Sequence, residues 1–298
     1  MTNKKHSGSL QNTKAPYLLV LPAMIVIILV LILPIFYAIY LSCTDATLLK
    51  LSSAQWIGIE NYITFFTSGS VGKVFSATFI YVVVGVFLVY FIGLGAALLL
   101  NIPLKGKSVF RGILILPWAI PQVVLVLIWK WMLNPQYGVI NYFLQQLGLV
   151  GENFSWFTDP NFAMLAIMLV TLWKEYPLSC LILFAGLKTI SPDLYEAAAI
   201  DGAGRFKRFI HITMPGLKYV TSVLVLLLTI WSFTNFVIIW LLTMGGPSDQ
   251  TATLSIYTYL NAFKFSQLGE GAAIGTVCLL VSMIFSILYY KVFIVEKD

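Results

Sequence analysis

Apolar residues gather in six long runs separated by shorter polar connectors, at about Tyr17 to Leu41, Val74 to Leu100, Gly112 to Leu133, Phe162 to Leu187, Leu217 to Thr243 and Ala272 to Ile294. Each run is close to the roughly 20 residues that a helix needs to cross about 30 Å of hydrocarbon. Inside lipid the backbone must satisfy its own hydrogen bonds, which leaves helices or closed barrels, and runs this continuous lack the period-two alternation of barrel strands. The pattern predicts an all-α integral membrane protein with six transmembrane helices. Pro117 and Pro121 interrupt the third run and Pro177 the fourth. They free backbone groups that neighbours or a polar cavity must satisfy. The cluster Gly93, Gly95, Ala96, Ala97 in the second run predicts close helix packing.

The longest polar segment between two apolar runs extends from Lys188 to Pro215. Ser191 is a good N-cap, Pro192 suits the first helical position and Asp193 sits where the helix dipole favours an anion, so a short helix begins here. It is expected to end near Asp201 and Gly202. Beyond that turn Phe206, Phe209 and Ile210 recur at helical spacing while Arg205, Lys207 and Arg208 point elsewhere, predicting a second short helix that stops at Pro215. Two short helices joined by a glycine turn form a hook. The connector from Asn134 to Asn161 mixes aromatic residues with Gly and Pro and predicts short interfacial helices.

Composition narrows the class. A mean hydropathy of +0.91, with 59% hydrophobic and 10% charged residues, excludes a soluble domain. The net charge of +6 does not describe a nucleic-acid face, because the bases are spread over short connectors. Lys4, Lys5, Lys14, Lys105, Lys107, Arg111, Lys188, Arg205, Lys207, Arg208, Lys218, Lys291 and Lys297 all fall on one side of the expected spans. The positive-inside rule then places both termini and the hook in the cytoplasm. The domain reading is a cytoplasmic tail over 1–16, a six-span domain over 17–294 that includes a cytoplasmic loop at 188–215, and a tail over 295–298. Cys43, Cys180 and Cys278 are odd in number and give no disulfide framework. Tyr40-Leu-Ser-Cys43 faintly resembles a lipoprotein cleavage site, but the run before it is too long for a signal peptide, so an uncleaved helix is expected.

No catalytic constellation stands out, and no cofactor is implied. Lys105-Gly-Lys-Ser108 ends like a phosphate-binding loop, yet Asn101 occupies its first glycine position and it joins two membrane runs. His6 and His211 lack metal-ligand neighbours, so no metal site is expected. Lys174 and Glu175 lie near the middle of the fourth run, where each charge costs about 2.5 to 3.5 kcal/mol unless it faces protein or water. As sequence neighbours they cannot stack, so at least one faces the bundle interior. Trp118 and Gln122 in the third run, and Trp231, Ser232, Thr234 and Asn235 in the fifth, combine aromatic faces with amides and hydroxyls. That chemistry suits a sugar, whose ring faces stack while its hydroxyls hydrogen-bond. Trp129, Trp131 and Trp240 are expected in the interfacial aromatic belt.

The row Glu196-Ala-Ala-Ala-Ile-Asp-Gly-Ala-Gly, with Phe209, Ile212 and Pro215 after it, resembles the cytoplasmic coupling loop of membrane subunits of binding-protein-dependent ABC importers. Leu-Pro-Trp118-Ala-Ile-Pro-Gln122, Trp173-Lys-Glu-Tyr-Pro177 and Trp231-Ser-Phe-Thr-Asn235 resemble motifs of the maltose-transporter type of carbohydrate importer subunit. The resemblance implies an ABC importer type I permease fold in a bacterial or archaeal cell membrane, without catalytic activity of its own. It also implies a heterodimer with a second permease subunit, two cytoplasmic ATP-binding subunits and an external sugar-binding protein. By motif, the substrate-binding residues would be Trp118, Gln122, Thr171, Lys174, Glu175, Trp231, Ser232 and Asn235. Those coupled to the ATPase would be Glu196, Ala197, Ala198, Asp201, Gly202 and Pro215. Lys174, Glu175 and Leu178 depart from the maltose pattern, which leaves a charged or longer saccharide open. A non-sugar solute such as glycerol phosphate, and a secondary transporter or channel, are the competing readings.

Overall fold

The computed structural model describes residues 15–102 and 106–293. Lys4, Lys5, His6, Lys14, Lys105, Lys297 and the tail 295–298 lie outside the described residues. Apart from one isolated bridge between Thr44 and Trp56, the described chain consists of helices and their connections.

Four helices are long and apolar enough to cross a membrane unbroken: α1 (Tyr17–Ser42), α3 (Val71–Asn101), α7 (Ala163–Thr189) and α13 (Leu268–Phe293). Two further candidates are bent pairs. The helix α4 (Lys107–Ala119) and the helix α5 (Gln122–Met132) meet at 95°. The helix α9 (Arg205–Gly216) and the helix α10 (Lys218–Thr234) meet at 65°. The count is therefore four to six, depending on whether each bent pair makes one span. Short helices fill the connections: α2 (Glu60–Thr67), α6 (Val139–Gln146), α8 (Pro192–Ile200), α11 (Val237–Thr243) and α12 (Leu254–Tyr259).

The core forms where α3 packs along α7. Val89, Leu94, Ala97 and Leu100 meet Cys180, Leu183 and Leu187, and Leu217, Leu224 and Leu228 close over them. Gly93 is needed here because a Cβ on it would stand 2.3 Å from Ser179 Oγ. The expected small-residue packing is thus realised at Gly93 and Ala97, whereas a Cβ on Gly95 would meet nothing within 4 Å. A second apolar cluster joins Phe65, Val74 and Tyr81 to Leu125, Ile167, Ile238, Leu254 and Ile274. In contrast, α1 is exposed from Tyr17 to Tyr40 and meets the rest of the chain near its end, where Leu33–Ser42 lies against α13.

The prolines act unequally. Pro22, Pro117 and Pro177 all lie inside continuous helices. Only Pro121 coincides with a break, because its ring disfavours helical geometry at the preceding residue, and Ile120 is extended with ψ 132°. The fifth run is broken without proline, at Asn235 and Phe236, between α10 and α11. The hook's second helix ends at Gly216, one residue past the expected stop at Pro215. A π turn over Phe209–Thr213 ends two residues before the proline, and this wider turn shifts the carbonyl against which its ring would clash. Trp129 lies edge-on to Trp173, and Trp240 against Phe236 and Tyr259. Trp131 is 64% exposed.

Candidate functional site

The two breaks face the same space. A cavity of about 650 Å³ is lined by Trp118, Ile120, Pro121 and Gln122 on one side, by Thr234, Asn235, Phe236 and Val237 on another, and by Lys174, Glu175 and Leu178 of α7. Non-helical backbone at membrane depth is tolerated only where it is buried in protein or borders a polar cavity, and both breaks meet that condition. Six of the residues expected at the site, Trp118, Gln122, Lys174, Glu175, Trp231 and Asn235, border this cavity. Thr171 and Ser232 do not. They line a narrow space of about 30 Å³ behind it, together with Tyr81, Glu175, Trp231 and Asn235. There the Thr171 hydroxyl meets that of Tyr81 at 3.2 Å.

Lys174 is buried, and its ammonium donates to the carbonyls of Trp118 and Ile120, the second at 2.7 Å. These carbonyls lie at the C-terminal end of α4, where the last turn has no helical donors and carries a partial negative charge. Lys174 is a clasp across the first break. It lines the cavity as well, and the signal for its bonds to α4 was an intramembrane lysine in a chain whose third run carries two prolines. At the second break the Asn235 carbonyl accepts from Ser255 Oγ at 3.2 Å. Trp118 and Trp231 are 43% and 45% exposed, so substantial ring surface stays open to the cavity side. Asn235 Oδ1 is buried without a hydrogen-bond partner among the described residues. The site therefore offers aromatic faces, two side-chain amides and a carboxylate to a polar solute.

The hook is built as its residues dictate. Ser191 Oγ accepts from the Asp193 N–H at 3.3 Å, and Pro192 opens α8. At the far end Ala203 N–H donates to Ala198 O at 2.8 Å and Gly202 N–H to Ala199 O at 3.1 Å. That paired closure requires a left-handed residue, and Gly202 has φ +76°. Tyr195 and Thr213 share a hydroxyl contact of 3.0 Å that ties the two hook helices together. Glu196, Ala197, Asp201, Gly202 and Pro215 are exposed and Ala198 half-buried. Large apolar side chains also stand free on this surface, with Ile200 88% and Phe206 74% exposed. Near the start of the hook, Arg111 and Lys188 both lie over the Phe184 ring, at 4.4 and 5.4 Å.

The "Sulfoquinovosyl glycerol transport system permease protein SmoG" of Agrobacterium fabrum is 36% identical over 92% of this chain and 89% of its own. The "Trehalose/maltose transport system permease protein MalF" of Thermococcus litoralis is 36% identical over 97% of this chain and 96% of its own. A chain of a bacterial ABC transporter involved in the import of the acidic polysaccharide alginate has the same fold, with a TM-score of 0.81 over 95% of this chain and 96% of that one at 22% identity. The family model described as "Binding-protein-dependent transport system inner membrane component" matches residues 89–294, a stretch that holds both breaks, the cavity residues and the hook. With two relatives this similar over nearly their whole lengths, the chain belongs to the family of binding-protein-dependent transport system inner membrane components.

Proposed function

We propose that this chain is the pore-forming, non-catalytic subunit of an ATP-driven importer for a sugar or oligosaccharide delivered by an extracytoplasmic binding protein. The observation that carries the reading is the convergence of two interrupted helices on a cavity of about 650 Å³ lined by Trp118, Trp231, Gln122, Asn235 and Glu175. Relatives named for transport of trehalose, maltose and a sulfoquinovosyl glycerol support a saccharide. The substrate-binding set is Trp118, Gln122, Glu175, Trp231 and Asn235, with Thr171 and Ser232 behind and Lys174 holding the break. A phosphate ester would need open cations, and the Lys174 ammonium is already bonded to carbonyls.

The partners under this reading are a second, homologous permease, two cytoplasmic ATP-binding subunits and the binding protein. The hook, 188–215, seats in an ATP-binding subunit, with Glu196, Ala197, Ala198, Asp201, Gly202 and Pro215 at the joint. The chain crosses the membrane six times with both ends inside, the bent pairs each serving as one span, and the tails are 1–16 and 295–298. Reporter fusions check the topology: an enzyme active only outside the cell is expected to work after Glu152 or Asp249 and to fail after Arg208. Transport by the reconstituted complex checks the function. Gly202→Val with Glu196→Lys is expected to abolish uptake and binding-protein stimulation of ATP hydrolysis while the spans still insert. Normal uptake by that variant, in a complex shown to contain the ATPase, removes the coupling role.

A further inference from the structure

A second groove, of about 740 Å³, lies between α3 and α7 at their ends opposite the hook. Its walls change character along their length. Lys73 and Ser76 of α3, Asn161 just ahead of α7 and Gln250 gather at the end where both helices begin. Beyond them the lining is apolar: Ile80, Val84 and Leu88 recur every fourth residue on α3, and Met164, Leu165 and Met168 complete the wall from α7. The groove opens sideways, since Ile80, Val84 and Leu165 are 38%, 40% and 43% exposed. From Gly72 to Leu88 it follows about 24 Å of helix, and one leaflet with its headgroups measures about 20 to 22 Å. There it stops. Farther along, Leu94, Ala97 and Leu100 of α3 are packed on Leu183 and Leu187 of α7. A helix that crosses the whole membrane needs a face through both leaflets, so the groove fits an occupant confined to one.

The polar end suits a phosphate ester. Lys73 donates to the Ser248 carbonyl at 3.2 Å, which leaves its charge intact and further N–H donors open. The neighbouring Asp249 accepts from the Ser70 hydroxyl at 2.8 Å and balances that charge, so the lysine offers a directed bond to a phosphate oxygen and not a net positive field. The side chains of Ser76, Asn161 and Gln250 make no hydrogen bond among the described residues and are open to a headgroup. We propose that this groove holds one phospholipid of the leaflet opposite the hook, its phosphate at Lys73 and an acyl chain laid along Ile80, Val84 and Leu88. The site is separate from the sugar cavity and independent of the saccharide reading.

A photoreactive lipid tests the site in the assembled transporter. The complex is reconstituted with a phosphatidylethanolamine that carries a diazirine midway along one acyl chain, exchanged into detergent, irradiated and mapped by peptide mass spectrometry. Adducts are expected to persist on residues 80–88 and 164–168 after the exposed apolar faces of α1 and α13 have lost theirs. Lys73→Gln is expected to lower the groove adducts about tenfold and Lys73→Arg to keep most of them. Val84→Trp, which fills the groove at an exposed position, is expected to abolish them. Equal loss from the groove and from α1 and α13 overturns the site, because the lipid is then part of the general annulus. A thiol at position 84, made by Val84→Cys, that cross-links to the second permease while the lipid leaves no adduct also overturns it, by giving the groove to a neighbouring helix. Unchanged adducts in Lys73→Gln overturn the phosphate contact. The wild-type comparison needs no substitution, so a variant that fails to assemble does not block it.

Discussion

The two interruptions that meet at the cavity are made by different means. Between α4 and α5 the break lies at a proline, with Ile120 extended ahead of Pro121 and a lysine from α7 bonded to two of the freed carbonyls. Between α10 and α11 no proline stands at the break, and the Asn235 carbonyl is held by the hydroxyl of Ser255, 20 residues on. The first break is therefore marked by local chain chemistry and held in place from outside by the lysine. The second is created by its surroundings. A charged donor on carbonyls is worth roughly 1.5–3 kcal/mol per hydrogen bond and a neutral hydroxyl about 1 kcal/mol, so the energy that holds the cavity wall lies mainly on the Lys174 side.

This asymmetry can be broken or sharpened experimentally. The largest effect is expected for Lys174→Met, which leaves two carbonyl acceptors without a donor at about 1–3 kcal/mol each. The purified complex should melt at a clearly lower temperature and lose transport; melting at the wild-type temperature would show that the clasp carries no load. Next come the aromatic faces. Trp118→Ala and Trp231→Ala each remove a ring contact worth about 1–1.5 kcal/mol, and each should raise the half-saturating sugar concentration in proteoliposome uptake several-fold to about tenfold. If only one of them does so, the solute leans on one side of the cavity alone. Ser255→Ala removes one neutral hydrogen bond and should lower stability by about 1 kcal/mol, visible as a small shift in the same melting curve. The smallest change is expected for Pro121→Ala, at less than about 1 kcal/mol, because Lys174 and the packing of Leu125 still hold the bend. Spin labels at Val109 and Trp131 check this: their separation should stay short, and a distance near that of a straight helix would return the break to the proline alone.

Much of the fold was legible because hydrophobic burial and backbone satisfaction act on the sequence directly. Runs such as Val74 to Leu100 could be nothing but apolar helix, and Ser191, Pro192 and Gly202 mark the ends of α8 through capping chemistry that depends on neighbours a few residues away. Trp118, Gln122, Trp231 and Asn235 could be selected because aromatic and amide groups in an apolar run need a reason to be there. The bend at Asn235 was not legible, since no residue there forbids a helix. Nor were the packing partners of Trp129 and Trp240, since Trp173 and Tyr259 come from other segments.

The sequence by itself determined that the chain is a helical membrane protein with a polar two-helix hook between two apolar runs, and it named most residues of one polar site, because periodicity, capping and transfer cost are local quantities. It could not separate Lys174 from Glu175, two adjacent charges at the same depth. Only the tertiary structure did so, by bringing the broken end of α4 within reach of the lysine and leaving the glutamate facing the cavity. The reason is geometric: a buried charge takes its role from the nearest polar groups, and here those are two backbone carbonyls 56 and 54 residues away in the chain.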